Sequence, residues 1–284
     1  MRVLSIMNNK GGVGKTTVAT WLSQGLAIIG KKVLVIDNDK QHNLTNSLSA
    51  PGSSHKRTIR DIYQLQDFDK INDLLTESVY ESTIENLFYI PSTARLSFQD
   101  IIDTEVWKNV FEISSLKHFF DVVIFDNPPG SDHLQASTLL CCDTVIIPTE
   151  LKTKATEGLF ELYTWLTDSM RFTPDKIRII PNGYKKWKKY EGFLGIIKNQ
   201  FAQSLTTAIP YDEVFDELDA ERKILFFSRL RARVVPYVIK IITEIFPDLP
   251  DHDSLEVEFI EKRHDHVSKT ARMRFVERMN AHGN

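Results

Sequence analysis

The chain has 284 residues, of which 42% are hydrophobic, enough for one large α/β domain with or without a modest extension. A formal net charge of −3 excludes a polycationic nucleic-acid binder, so affinity for nucleic acid would have to come from a local patch. The two cysteines, Cys141 and Cys142, are adjacent, which excludes a disulfide framework and favours a reducing cytoplasm. We expect a soluble protein without a secretory signal, because no apolar run approaches the roughly 18 residues of a membrane span.

Short apolar runs alternate with longer helical patterns along the whole chain. The apolar runs are continuous, which is typical of strands buried on both faces of a parallel sheet. We predict strands at residues 3–7, 33–37, 87–90, 122–125, 144–147, 177–180 and 205–209. We predict helices at residues 15–30, 59–75, 106–119, 156–168 and 234–245. The predicted fold class is therefore α/β, a doubly wound and mostly parallel sheet flanked by helices, with a helical C-terminal tail.

The segment 8–17, Asn-Asn-Lys-Gly-Gly-Val-Gly-Lys-Thr-Thr, lies between the first predicted strand and the first predicted helix. Its glycines let backbone N–H groups surround phosphate oxygens. Lys15 supplies a charge at the β- and γ-phosphates, and the Thr16 hydroxyl can bind Mg²⁺ at the helix start. The usual pattern has glycine six residues before this lysine, whereas here Asn9 stands there and a second lysine, Lys10, follows it.

Carboxylates follow two further predicted strands. Asp37 and Asp39 end the second strand, and their spacing of two residues points both side chains the same way in an extended segment. Asp126 ends the strand at 122–125 and precedes Asn-Pro-Pro-Gly. In such sheets ligands bind at the carboxyl ends of the strands. This arrangement predicts that Asp126 holds the water shell of Mg²⁺ opposite Thr16.

The sequence Lys-Gly-Gly-Val-Gly-Lys-Thr at residues 10–16 resembles the deviant Walker A box of the ParA/MinD family of P-loop ATPases. The resemblance is to the ParA-type partition ATPases in particular. It implies ATP and Mg²⁺ as cofactors and a homodimer with ATP sandwiched between subunits, in which Lys10 reaches the nucleotide of the other subunit. The residues implied to contact nucleotide in this segment are Lys10, Gly11, Gly12, Val13, Gly14, Lys15, Thr16 and Thr17.

The family resemblance also assigns roles to the two aspartates that follow the second strand. Asp39 aligns with the aspartate that orients the attacking water, and Asp37 supports the metal region beside Thr16 and Asp126. The resemblance thus implies Lys10, Lys15 and Asp39 as the catalytic residues. Lys40 and His42 replace the family's common proline and glycine, so the loop that follows Asp39 is expected to differ.

Further along the chain, the resemblance implies that the Asn182 amide reads the adenine edge and that the loop at Pro210 closes over the base. It covers residues 1–246 and is densest before residue 160; residues 213–220 depart from the family's Ser/Pro/Gly-rich stretch. We therefore predict an ATPase domain at 1–248 and a charged helical extension at 249–284.

Two basic neighbourhoods are expected to contact DNA. The run 184–190 interleaves lysines with aromatic residues, and a second group lies within 222–233. ParA-type proteins bind duplex DNA non-specifically as ATP dimers through such residues. The expected DNA-binding residues are Lys185, Lys186, Lys188, Lys189, Arg222, Lys223, Arg229, Arg231 and Arg233. The function implied is a slow, partner-stimulated ATPase, cytoplasmic and nucleoid-associated, that partitions a plasmid or chromosome with a ParB-like centromere-binding adaptor.

Three alternatives stay open: a MinD-like ATPase at a membrane, an ATPase that positions another cargo, and an iron–sulfur reductase of the nitrogenase-iron-protein type. The tail carries a stripe at Val267, Ala271, Phe275 and Met279 but ends in polar residues, so no membrane anchor is expected. One adjacent cysteine pair at a core position fits an iron–sulfur bridge poorly. Lys10 lies near the start, so we expect no N-terminal DNA-binding extension and no transcriptional autoregulation.

Overall fold

The computed structural model describes residues 1–130, 133–221 and 223–281. Its centre is a sheet of strands β1 (Arg2–Ile6), β2 (Val33–Asp37), β3 (Tyr80–Glu81), β4 (Leu87–Ile90), β5 (Val122–Asp126), β6 (Thr144–Glu150) and β7 (Ile177–Asn182). The strand order is β3-β4-β2-β5-β1-β6-β7, and every pair is parallel except β3 with β4. β2 and β5 are buried at every residue, as their continuous apolar sequences predict. The predicted fold class is confirmed.

Helices cover both faces of this sheet. They are α1 (Lys15–Ile28), α2 (Asn43–Leu48), α3 (Ile59–Tyr63), α4 (Ile71–Ser78), α5 (Val106–Ile113), α6 (Leu116–Phe119), α7 (His133–Leu139), α8 (Thr153–Thr164), α9 (Lys188–Phe201), α10 (Val214–Glu221), α11 (Leu225–Ser228), α12 (Val235–Ile245) and α13 (His252–Ala281). A π-helical turn, Trp165–Ser169, continues α8. The predicted helical tail is thus present as α13. None of the helices that the structure describes has both the length and the hydropathy to cross a membrane.

Two long helices expected from the sequence are each broken. The predicted helix 59–75 is split into α3 and α4, because Asp67 accepts a hydrogen bond from the Asp69 N–H and starts a new turn between them. The predicted helix 106–119 is split because Ser114 adopts an extended conformation after α5. Short polar side chains compete in this way for backbone groups and favour helix ends.

The predicted strand at 205–209 is wrong. This segment runs beside β7 but pairs with it only through an isolated bridge between Leu205 and Ile179. Pro181 lies in β7 and has no N–H to donate, so a continuous ladder cannot form; the Ile209 N–H instead donates to the Pro181 carbonyl at 2.8 Å. The segment is therefore an irregular edge that carries the chain back towards the carboxyl ends of the strands.

The start of the C-terminal helix belongs to the core. Leu255 and Phe259 are fully buried with residues of α1 and α12. The Phe259 ring stacks on Phe226 at a centroid distance of 4.3 Å, and the Arg263 Nε donates to the Phe227 carbonyl at 3.1 Å. The stripe predicted from Val267 onward lies outside the described side chains.

Candidate functional site

The strand register brings the predicted carboxylates together. Asp126 at the end of β5 stands opposite Ile6 of β1 on one side and Asp37 of β2 on the other. The glycine-rich segment begins just after β1. The two acidic strand ends and the loop therefore meet at one edge of the sheet, as the sequence predicts.

The glycine-rich loop adopts a conformation that needs two of its glycines. Gly12 and Gly14 have φ values of 74° and 94°, in the left-handed region. A Cβ on Gly14 would also lie 2.4 Å from the Asn182 side-chain nitrogen. This loop leads directly into α1, whose first N–H groups are unpaired within the helix and favour an anion.

Most of the predicted phosphate contacts line one cavity of about 420 Å³ in front of α1. Its lining includes Gly11, Gly12, Gly14, Lys15, Thr16, Thr17 and Asp39. Val13 is buried and stays behind the loop, where its carbonyl accepts a hydrogen bond from the Asn182 amide at 3.1 Å. Asn182 thus holds the phosphate loop here, and its role towards adenine stays a prediction.

Lys15 is held close to the loop. Its side chain is largely buried, and its Nζ donates to the Lys10 carbonyl at 3.2 Å. Burial lowers the pKa of Lys15, while Asp126 and Asp39 oppose that change. The ammonium thus lies between carboxylates at a position where phosphate would add further negative charge.

Asp126 provides a test for a bound cation. Its carboxylate is 1% exposed, and neither oxygen has a partner in full hydrogen-bonding geometry among the described residues, although the Thr16 hydroxyl lies close by. Burial, and then the neighbouring Asp37, raise its pKa to about 8, although the Thr16 hydroxyl and Lys15 oppose the rise. A buried carboxylate without a partner is costly, and a cation would compensate it. Its oxygens and the Thr16 hydroxyl are the hard ligands that Mg²⁺ prefers, so these residues fit the metal.

The residues that the structure describes do not by themselves form a closed metal site. Among the described residues no group of three or more His, Cys, Asp or Glu side chains is arranged to hold a metal. A magnesium ion at Asp126 and Thr16 would therefore take its remaining ligands from water and phosphate. That pattern is usual for Mg²⁺ at nucleotide sites.

The Asp37 side chain is hydrogen-bonded to the first turn of α2. Its Oδ2 accepts hydrogen bonds from the N–H and the hydroxyl of Thr45, at 2.8 and 2.6 Å. Burial raises its pKa to about 6, and these hydrogen bonds limit the rise. Asp37 thus anchors the loop that carries Asp39, and its predicted support of the metal would act through this position.

Asp39 and His42 lie on that loop. The Asp39 side chain reaches the cavity, and its Oδ1 accepts the Gln41 N–H at 3.0 Å. His42 has a φ of 46°, the left-handed conformation that glycine adopts most easily. The loop therefore keeps a glycine-like backbone although histidine occupies the position, and the His42 ring pairs with Asn46.

Lys10 forms an ion pair within its own chain. Its Nζ lies 2.9 Å from Oε2 of Glu150 at the end of β6, and Lys152 occupies the other carboxylate oxygen at 2.8 Å. Burial raises the pKa of Glu150, but the hydrogen bonds from the two lysines outweigh it and keep that pKa below its ordinary value. The sequence analysis did not identify Glu150, because its partner Lys10 lies 140 residues away in the chain.

A buried polar network underlies the site and was also missed. The Tyr63 hydroxyl donates to Asn38 Oδ1, and the Asn38 amide donates to Asn127 Oδ1, both at 2.8 Å. The Asn127 amide in turn donates to the Ser5 hydroxyl at 2.9 Å. Asn38 stands between Asp37 and Asp39, and Asn127 follows Asp126. The network therefore ties both acidic loops to β1.

The predicted DNA-binding residues are dispersed. Lys185, Lys186, Lys188 and Lys189 lie at the turn before α9 and in its first turn, and Arg231 is exposed. Arg229 pairs with Glu217, Arg233 donates to the Tyr211 carbonyl, and Lys223 lines the nucleotide cavity. Arg222 lies outside the described residues.

Pro210 forms an isolated bridge with Tyr184, at the wall of a second groove.

The chain is similar in sequence and in fold to known proteins. Residues 1–179 match the AAA domain family. The sporulation initiation inhibitor protein Soj of Bacillus subtilis (strain 168) is 36% identical over 167 residues, which are 57% of this chain and 63% of Soj. The cell division protein PomZ of Myxococcus xanthus is 25% identical over 252 residues, 86% of this chain and 77% of PomZ. The structure of a Cyanothece McdA variant in complex with ATP superposes with a TM-score of 0.71 at 26% identity, covering 87% of this chain and 96% of that one.

Proposed function

Because the chain belongs to the ParA/MinD family of P-loop ATPases, we propose that it is a Mg²⁺-dependent ATP hydrolase of the ParA type. The observation that supports this most is the unpartnered, buried carboxylate of Asp126 beside the Thr16 hydroxyl, in register with Asp37 and in front of the phosphate loop. An acidic pocket that lacks only a cation suits a metal–nucleotide complex.

Each residue of the nucleotide cavity has its own role in this proposal. Thr16 and Asp126 would hold Mg²⁺, Lys15 would contact the β- and γ-phosphates, and Asp39 would orient the attacking water. When bound, Mg²⁺ neutralises the charge that develops on the phosphates. Phosphoryl transfer depends mostly on such positioning, so the hydrogen bonds that fix Asp37 and the loop of Asp39 are part of the machinery.

We further propose that ATP drives a homodimer in which Lys10 acts on the nucleotide of the other subunit. The dimer would bind duplex DNA non-specifically through the two basic neighbourhoods, since doubling the phosphate contacts raises affinity. A ParB-like adaptor would stimulate hydrolysis and release the DNA. Residues 1–248 form the ATPase unit in this proposal, residues 249–284 are an extension, and the protein acts on the nucleoid to partition a plasmid or chromosome.

The substitution Asp39→Ala tests this proposal. It removes the group that orients water but leaves the phosphate contacts, so hydrolysis should fall by about 100-fold or more while ATP is retained. Steady-state phosphate release and nucleotide binding would be measured together, with duplex binding in ATP, in ADP and across a salt series. Wild-type hydrolysis by the variant would contradict the role of Asp39, and equal weak binding in both nucleotides would contradict the DNA proposal.

A second candidate function is the positioning of another cargo. PomZ, named a cell division protein, aligns with 86% of this chain, a longer span than the alignment with Soj. A MinD-like version would act on a membrane. ATP-dependent binding to anionic liposomes in place of DNA, measured by co-sedimentation, would favour that function over partition.

A further inference from the structure

A second groove, of about 600 Å³, opens beside the end of β7. We call it the aromatic groove; its rings are Tyr184, Trp187, Tyr211 and Tyr237, and its cations are Lys185, Lys186 and Arg233. The turn after β7, Leu194 of α9, the segment at 207–211 and the start of α12 form its walls. Its position lies outside the cavity that holds the phosphate loop.

The charge of the aromatic groove is of one sign. Every charged side chain in its described lining is a lysine or an arginine. Asp212 and Glu213, which follow Tyr211 in the chain, line the neighbouring hollow, and the Glu244 carboxylate accepts the N–H and the hydroxyl of the lining residue Thr207 at 2.8 and 2.7 Å. The groove thus favours an anionic occupant.

The rings of the groove are unusually open to solvent. Trp187 is 62% exposed, Tyr211 is 44% exposed and Tyr237 is 38% exposed, whereas tryptophan is largely buried in most proteins. The Lys185 ammonium lies 3.9 Å from the Tyr211 ring centroid and 5.4 Å from that of Trp187. Flat aromatic faces beside cations suit a ligand that has both π-faces and phosphates.

We propose that the aromatic groove binds single-stranded DNA, with an unpaired base stacked on Trp187 and phosphates held by Lys185, Lys186 and Arg233. The bases of a duplex are already stacked on each other, so a duplex offers the groove only its backbone. Unpaired bases offer their faces. This inference rests on the proposed DNA binding and adds a preference for unpaired bases at one part of that surface.

Backbone hydrogen bonds connect the groove to the nucleotide cavity. The Tyr184 N–H donates to the Ile209 carbonyl and the Tyr211 N–H donates to the Tyr184 carbonyl, both at 2.8 Å. Asn182, two residues before Tyr184, contacts the phosphate loop through Val13. These hydrogen bonds link the phosphate loop to the wall of the groove, so we expect the affinity for single strands to differ between ATP and ADP.

The test compares oligo-dT of about 12 nucleotides with a mixed-sequence duplex of the same length, using fluorescence anisotropy and the full chain with a non-hydrolysable ATP analogue. Trp187→Leu keeps an apolar side chain but removes the ring, and it should lower oligo-dT affinity by about tenfold and duplex affinity by less than about twofold. Trp187→Phe should retain most of the affinity. Phe98→Leu is the matched control, because Phe98 is also an exposed aromatic residue (51%) but lies outside the groove. This substitution should change neither the oligo-dT affinity nor the duplex affinity.

Lys186→Ala separates the phosphate contribution from stacking. Lys186→Ala should weaken the binding of both oligo-dT and duplex, and the salt dependence of each affinity should fall by the amount expected for about one lost phosphate contact. Trp187→Leu should leave the salt dependence unchanged. Binding of oligo-dT should also quench the fluorescence of the wild type more than that of Trp187→Phe.

The outcomes separate this inference from the proposed function. Duplex binding with no effect of Trp187→Leu on oligo-dT would overturn the stacking inference and leave the DNA-binding ATPase intact. An equal loss for both ligands would also overturn it, since the ring would then support the fold of the groove. Failure to bind either DNA would overturn the DNA proposal itself. A poly-glutamate peptide that binds in a Trp187-dependent manner, with no binding of oligo-dT, would identify the groove as a peptide site instead.

Discussion

The phosphate-binding edge and the aromatic groove both follow the carboxyl ends of parallel strands, yet they are built in opposite ways. Around the phosphate loop the polar groups are buried and fixed by hydrogen bonds, as Asp37 is by Thr45 and Asn38 is by Tyr63. In the aromatic groove, Trp187 and Lys186 are exposed to solvent. Catalysis of hydrolysis requires that the reacting groups be held in a fixed geometry. Binding to a long polyanion is instead the sum of many weak electrostatic contacts. Single substitutions should accordingly have large effects at the first region and graded effects at the second.

After Asp39→Ala, the largest expected effect is at Asp126. Asp126→Asn should reduce Mg²⁺ affinity or Mg²⁺-dependent hydrolysis by about 10- to 100-fold, because the neutral amide no longer compensates the cation. The same change should raise the free energy of unfolding of the nucleotide-free protein by about 1 kcal/mol, because a neutral group is cheaper to bury than an unpartnered carboxylate. Urea denaturation without nucleotide and hydrolysis across a Mg²⁺ titration measure the two effects. A variant that is less stable and fully active would show that Asp126 is structural.

The buried network comes next. Tyr63→Phe removes a hydroxyl that donates to Asn38 and accepts from the Trp107 indole, so it should cost about 1–3 kcal/mol of stability. Because Asn38 separates Asp37 from Asp39, hydrolysis should fall by about tenfold with little change in ATP affinity. Burial raises the pKa of Tyr63, so the hydroxyl stays a donor at any usual pH.

Tyr89→Phe is the matched control for this substitution. Tyr89 is also buried and its hydroxyl pairs with His55 at 2.9 Å, away from the acidic loops. It should lose stability but keep the catalytic rate. Equal loss of rate in the two variants would remove the positioning role of the network.

These residues also show what the sequence could predict. Lys15, Thr16 and Asp126 follow strands at recognisable spacing, and the continuous apolar runs identify six strands and the parallel sheet, because burial on both faces leaves a local signature. Glu150 and Tyr63 leave no such signature, since their partners are 140 and 25 residues distant in the chain. The false strand at 205–209 has the right residues, but a proline in its neighbour decides the outcome.

Glu150 offers a smaller effect, at the boundary between the two regions. Its ion pair with Lys10 is half-exposed and is worth at most about 1 kcal/mol. Glu150→Gln should free Lys10 and lower the ATP concentration needed for dimerisation by up to about fivefold, measured by light scattering during an ATP titration. Lys152→Gln leaves the Lys10 pair in place and serves as the control. A higher ATP requirement in Glu150→Gln would mean that Glu150 assists Lys10 in the dimer.

The smallest expected effect is at His42, on the loop that carries Asp39. Histidine pays a steric cost at its φ of 46°, which glycine avoids, although glycine loses more entropy on folding. His42→Gly should therefore raise the free energy of unfolding by no more than about 1 kcal/mol, while the hydrolysis rate stays within about twofold because the backbone conformation is kept. Asn86→Gly is the control, since Asn86 has a φ of 66° and asparagine tolerates this region better, so its gain should be smaller. Urea denaturation of both variants measures the difference. A His42→Gly variant that is clearly less stable would show that the lost pairing of the His42 ring with Asn46 and the larger entropy loss of glycine together outweigh the relief of backbone strain.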